Sequence, residues 1–246
     1  MGLIGVFNHL GPGGFVQEDR ELLDSLALQA TSVLENASLI NKSKDTQYTT
    51  MVKLAELAEK RDPETGKHLD RMKHYSKILA MEMGQTAKYS GIINDDFVEA
   101  LYQSSPLHDI GKVGIYDNIL LKPGKLTAEE FDIMKTHTSI GGEILQGPDF
   151  LMFSRNVALG HHEKFDGNGY PSGLKGEDIP LEARIVALAD VYDALTSKRV
   201  YKQSFPFEKT YAIIMEGKGT AFDPDVVDAF EKTIDQFQEI QEKYGD

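Results

Sequence analysis

Arg184–Ser197, RIVALADVYDALTS, reads as a strongly apolar helix with Asp190 set among residues that belong in a core. An uncompensated carboxylate there is costly, so its burial implies a cation nearby. Working outward, helical patterns dominate from about Met51 onward, broken by loops around Asp62-Pro63, Lys122-Pro123-Gly124 and Gly167 to Gly176. No alternating strand–helix rhythm and no internal repeat is visible. The body of the chain is expected to be all-α.

The bulk numbers restrict what such a bundle can bind. Lys and Arg total 26 against 39 Asp and Glu, and the net charge of -13 argues against an extended surface for nucleic-acid polymers or anionic membranes. A small anionic ligand stays open if positive charge is gathered locally. There is no cysteine, so thiolate nucleophiles, disulfides and Cys-based zinc sites are excluded, and any metal must be held by nitrogen and oxygen. No apolar run approaches the roughly 18 residues of a membrane span and no signal-peptide pattern is visible, so a cytoplasmic chain is expected, although a longer parent protein could still carry an anchor.

Upstream, residues 2–40, GLIGVFNHLGPGGFVQEDRELLDSLALQATSVLENASLI, read as an apolar strand, a Gly/Pro turn and a helix beginning near Glu18 or Asp19. This segment resembles the last strand and terminal helix of a GAF sensor domain. The resemblance implies a sensor remnant and linker helix over residues 1–45 and an effector domain over 46–246. Leu26, Val33, Ile40 and Leu54 fall on a seven-residue grid that skips position 47, and Ala30, Ala37, Met51 and Ala58 fall on a second grid four residues later that skips position 44. Such a seam suits a parallel two-stranded coil, and hence a homodimer, or else simply faces its own domain. Lys44 and Gln47, both inside the polar stretch NKSKDTQ, interrupt the seam. Neither GPGG near residue 11 nor DGNGYPSG near 166 fits a phosphate-loop or dinucleotide fingerprint.

The seven histidines carry the chemistry. Glu64 and His68 in DPETGKH share a face if a helix begins at Pro63, as a common metal site requires, though an i,i+4 surface pair has the same spacing. His108 and Asp109 in LHDIGKVGI lie in an apolar context where both would be expensive to bury without a partner, and a metal is the obvious one. The doublet His161-His162 in ALGHHEKFDGNGYPSGL follows another apolar approach. His137 in FDIMKTHTSIGGEIL sits on an expected helix and, taken singly, would more often be structural. With Asp190, separate apolar elements each present His or Asp, and the joint pattern is stronger than its parts. His9 and His74 fall outside it, His74 being six residues past His68 and so rotated off that face.

HDIGKVGI, LKPGKLTAEEFDIMKTHTSIGGEIL and HHEKFDGNGYPSGLKGEDIPLEARIVALADVYDALTSKRVYK together resemble the HD-GYP branch of the HD phosphohydrolases over roughly residues 50–240. The family's name motifs, His108-Asp109 and Gly169-Tyr170-Pro171, are intact. Tyr116 stands where proline is common and Phe165 where tryptophan is common. The resemblance implies an HD-domain helical bundle that hydrolyses cyclic di-GMP to pGpG or GMP, with metal ligands His68, His108, Asp109, His137, His161, His162 and Asp190. Glu64 matches the subgroup with a third metal, so two or three divalent ions are expected, three favoured, with iron or manganese suited to this ligand set. Asp109 is the expected bridge between metals, and water bound there is acidified towards a pKa of about 7. Lys112, in helical register with His108, would hold a phosphate oxygen or developing charge. Asp62 and Asp193 would orient Lys112 or the ligands. Arg199 and Lys202 would supply positive charge to the dinucleotide, and Tyr170 would pack against guanine or contact phosphate. Other readings keep the ligands but change the outcome: another cyclic dinucleotide as substrate, or a module that binds cyclic di-GMP with little hydrolysis.

Overall fold

The computed structural model describes Gly5 and residues 14–61, 67–197 and 204–245. Ten α-helices joined by short 3₁₀ turns make up the described residues, which contain no strand beyond one isolated bridge between Lys218 and Phe222. The fold is all-α. The strand expected near the N-terminus lies almost wholly outside the described residues, as does His9.

The chain divides into two compact units, Met1–Thr50 and Met51–Asp246. Helix α1 (Gln17–Glu59) runs without a break through Asn41–Gln47, so that polar stretch interrupts the apolar seam but not the helix. In the first unit Leu22, Leu26, Val33, Leu34, Leu39 and Ile40 are all exposed. No described helix is long and apolar enough to cross a membrane.

The second unit is built around α2 (His68–Gly84) and α7 (Leu181–Thr196), which pack against each other. Around them stand α3 (Asp95–Ser104), α6 (Met152–Gly160), α8 (Phe207–Glu216), α9 (Pro224–Lys232) and α10 (Ile234–Lys243). Their shared core includes Met72, Leu79, Leu101, Val157, Ile185, Leu188, Ile214 and Val226. At one end of it an aromatic cluster locks four helices: Tyr75 stacks on Phe237 at 4.5 Å, and Tyr192 and Phe230 meet the same ring edge-on at 4.9 and 5.1 Å. A second apolar cluster joins Met51, Ala55 and Ala58 of α1 to Leu69, Leu107, Ile110, Leu145 and Ala158.

Two more elements place the site. The short helix α4 (Asp117–Leu120) precedes α5 (Ala128–Ile144), which starts at a capping box in which Glu130 N–H donates to Thr127 and Thr127 N–H donates to Glu130. Packed on α5 is the 3₁₀ turn Ile110–Gly114, which follows the His108-Asp109 pair directly. Gly111 permits this contact, since a Cβ there would lie 1.9 Å from the His137 carbonyl oxygen and 2.5 Å from Gly141 N.

Candidate metal centre

Five elements converge at one place. His68 is the first residue of α2, His108 and Asp109 sit between two 3₁₀ turns, and His137 lies on α5. His161 caps the C-terminus of α6 with His162 next to it, and Asp190 lies on α7. The side chains form two groups, Asp109, His137, His161 and His162 in one, His68, His108 and Asp190 in the other, the ligand atoms within each lying within 4.8 Å of one another.

Asp109 faces both groups. Its Oδ1 is 3.2 Å from His137 Nε2 and 3.6 Å from His161 Nε2, while its Oδ2 is 3.2 Å from His108 Nε2. His108 Nε2 is in turn 3.8 Å from Asp190 Oδ1.

Four of the imidazoles are oriented from behind. The Nδ1–H of His108 donates to Ser105 O at 2.8 Å, that of His137 to Met134 O at 2.7 Å, and that of His161 to the Val157 and Ala158 carbonyls at 3.1 Å. His68 Nδ1–H donates to Asp193 Oδ2 at 2.7 Å. Carbonyls and carboxylates only accept, so in each ring the proton sits on Nδ1 and the Nε2 lone pair is turned inward, as metal ligation requires. The inward atoms fit a cation and little else. His137 Nε2 and His161 Nε2 face each other at 3.5 Å with both ring protons committed elsewhere. Buried His108 Nε2 and Asp109 Oδ1 have no hydrogen-bond partner among the described residues.

The electrostatics agree. Burial pushes the His161 and His162 imidazoles down, keeping them neutral and able to ligate. Burial would also lower His108 and raise Asp109, but their attraction outweighs it. Asp109 and Asp190 push His108 up to about 10, and Lys112 and His108 hold the Asp109 carboxyl well below the usual carboxylate range. The field therefore calls for positive charge beside His108 Nε2, which a proton or a divalent cation can supply.

Around this centre, Lys112 differs from the helical register expected of it. It lies on a 3₁₀ turn, yet its Nζ still reaches the site, 2.7 Å from Asp109 Oδ2. Asp193 stands behind His68. Its carboxylate also takes Arg71 Nε at 2.5 Å and Nη2 at 3.0 Å. Burial alone would raise Asp193, but His68 and Arg71 outweigh it and hold it at about 2. Tyr170 lies beside the ligands: its ring tilts against His162 at 4.8 Å, and burial pushes its phenol up. His74 stacks on Tyr244 at 5.1 Å, outside the cluster. Asp62, Glu64, Arg199 and Lys202 lie outside the described residues, as does the expected helix start at Pro63.

Two residues escape the sequence reading. Arg71, fully buried, fixes Asp193, and its signal is the matched i,i+3 spacing of His68 with Arg71 and Asp190 with Asp193. Glu163, also buried, accepts from Ser172 N–H at 2.7 Å and Leu174 N–H at 3.1 Å, bracing the loop that carries Tyr170. Gly169 lets that loop fold back, because a Cβ there would stand 2.2 Å from Lys164 N.

A helical bundle with an adjacent His-Asp pair at the meeting of two His/carboxylate groups is the arrangement of the HD domain, and the HD domain family matches residues 53–226. The chain belongs to that family, which implies divalent metal binding. A probable cyclic di-GMP phosphodiesterase of Vibrio cholerae is 47% identical over 224 residues, covering 88% of this chain and 50% of that protein. A cyclic di-GMP phosphodiesterase of the same organism is 46% identical over 241 residues, covering 95% and 47%. These relatives support the HD-GYP branch. The chain spans about half the length of each. The crystal structure of a cyclic GMP-AMP specific phosphodiesterase from V. cholerae superposes with a TM-score of 0.53 at 18% identity, covering 80% of this chain and 52% of that one, which shows the shared fold.

Proposed function

We propose that this chain is a metal-dependent phosphodiesterase that hydrolyses cyclic di-GMP to pGpG, to GMP or to both. The observation that carries this reading is Asp109, whose two oxygens face two separate His/carboxylate groups, as a carboxylate shared by adjacent cations must. The similar proteins named as cyclic di-GMP phosphodiesterases supply the substrate class. Divalent cations bound here would supply Lewis acidity to the phosphodiester and acidify a water for attack on phosphorus.

In this reading His137, His161 and His162 complete one side of Asp109, and His68, His108 and Asp190 the other. Glu64 adds a third ion, and iron or manganese matches the nitrogen and oxygen donors. Lys112 neutralises charge that develops on a phosphate oxygen, since its ammonium already stands at Asp109. Asp193 holds His68 in the tautomer that ligates. Arg199 and Lys202 bring positive charge to an otherwise acidic protein, with Tyr170 beside His162 closing on the substrate. The work of the enzyme is cytoplasmic, residues 1–45 are the end of a GAF sensor with its linker, 46–246 are the catalytic domain, and two copies pair through Leu26, Val33 and Ile40, the exposed part of the α1 seam, whose Met51 and Ala58 are buried.

Two measurements on one preparation test the proposal. Elemental analysis of anaerobically purified protein should give two to three iron or manganese ions per chain, and chromatography should show pGpG or GMP formed from cyclic di-GMP. Metal-loaded protein, with any iron ferrous, that binds cyclic di-GMP and leaves it intact would make the chain a sensor.

A further inference from the structure

Beside His162 the site continues into a wall of groups that metal ligation does not use. Helix α5 presents Phe131 and Lys135 one turn apart, an i,i+4 pair on one face. Lys135 Nζ stands 5.0 Å from the centre of the Phe131 ring and 5.9 Å from that of Tyr170. Phe131 meets Tyr170 edge-on at 6.3 Å, and Tyr170 tilts 33° against His162 at 4.8 Å. The rings of His162, Tyr170 and Phe131 thus form a continuous ladder leading away from the metal ligands. Its outermost ring, Phe131, is 45% exposed. Lys135 is tethered at 2.7 Å to Asp132, itself well exposed, so its ammonium is held over the ladder.

The ladder is rigid at both ends. Phe131 and Lys135 share a capped helix with His137, and Tyr170 is held by its own N–H to His162 O at 3.2 Å and by the Glu163 brace of its loop. An open aromatic face with a cation above it suits a flat, electron-rich ring with acceptor edges. Aromatic side chains take any base by its π-face, and a lysine reaches the O6 and N7 acceptors of guanine.

We propose that Phe131, Tyr170 and Lys135 form a nucleobase subsite, in which one base of the cyclic dinucleotide stacks on the Phe131 ring and Lys135 meets its acceptor edge while the adjoining phosphate lies at the metal centre. The subsite rests on the hydrolase reading above and adds to it the residues that would select a nucleotide diester over a simple one.

The test uses the full manganese-loaded chain and the bis-phosphorothioate analogue of cyclic di-GMP, which resists hydrolysis, as the titrant. Phe131→Ala should weaken its binding about tenfold, Phe131→Tyr should stay within about twofold of wild type, and Lys135→Met should lose about threefold. In turnover, the preference for cyclic di-GMP over the base-free diester ethyl 4-nitrophenyl phosphate should fall about tenfold in Phe131→Ala, with manganese content at the wild-type level. Equal binding by wild type and Phe131→Ala, or a parallel loss of manganese, overturns the subsite whether or not wild type is a hydrolase. Wild-type protein that binds through Phe131 yet leaves cyclic di-GMP intact upholds the subsite and overturns the hydrolase reading. Absence of binding by wild type overturns both.

Discussion

The donor group formed by Asp109, His137, His161 and His162 and the one formed by His68, His108 and Asp190 meet at a single carboxylate but are supported differently. In the first, His137 and His161 are aimed by carbonyls of their own helices, three or four residues back, and the outer side is closed by a loop carrying Tyr170. In the second, His68 is aimed from across the bundle by Asp193 of α7, which is itself fixed by Arg71 of α2. Local backbone aims His137 and His161 of the first group and His108 of the second, whereas a buried charge network aims His68. The first group should therefore tolerate changes in distant packing and answer to its loop, whereas the His68 side of the second should fail together with the bundle.

Removing what they share should have the largest effect. Asp109→Ala takes an oxygen from each group, and turnover of cyclic di-GMP should fall at least about a thousandfold with metal content reduced at both. Activity near wild type would sink the shared-carboxylate assignment. Next comes the network behind the second group. Arg71→Met leaves Asp193 buried beside His68 with its main cation gone, and the unfolding free energy in denaturant should drop by about 3 kcal/mol. Metal affinity should weaken by about 10- to 100-fold in the same variant, as when a partner behind a ligand is lost. A variant as stable as wild type would show that Asp193 finds its charge elsewhere.

On the other side, Glu163→Ala should release the Tyr170 loop and raise KM for cyclic di-GMP about tenfold, with only about 1 kcal/mol lost in stability, because Ser172 and Leu174 N–H lie near the surface and can turn to water. Glu163→Gln, which keeps one acceptor oxygen, should recover part of the loss. A fall in metal content with KM unchanged would make Glu163 a support of His162 instead. Glu64→Ala should remove about one ion per chain and spare part of the turnover, an effect on neither group. Unchanged elemental content would exclude it as a ligand.

The two sides were unequally visible in the sequence. His108-Asp109, the His161-His162 doublet and Asp190 stood out because polar groups in apolar runs are expensive unless partnered, and that cost is legible without coordinates. The all-α body followed from helical periodicity for the same reason: it records which face is buried. Arg71 did not stand out, because in HLDRMKHY it sits among charged neighbours like any surface arginine. Its burial depends on the Asp193 carboxylate of another helix and on the C-terminal Tyr244 carbonyl, at 2.9 Å from its Nη1, neither of which is near in sequence. Phe131 and Lys135 carry no signal in the sequence, since only the folded loop brings Tyr170 beside them. Lys112 was expected beside Asp109 from its four-residue step after His108 on a helix, whereas the chain makes a 3₁₀ turn there and still brings its Nζ to Asp109.

Gly111 has a consequence for how this centre can vary. Where it touches α5 the contact is peptide against peptide, at the carbonyl of His137 itself. Spacing across the centre is thus gauged by two main chains, and swapping one apolar side chain for another nearby leaves that gauge in place. Any side chain at position 111 would instead wedge His137 away from Asp109, resetting the width of the centre in a single step. A screen for altered metal preference would therefore find most surrounding positions inert and this one decisive.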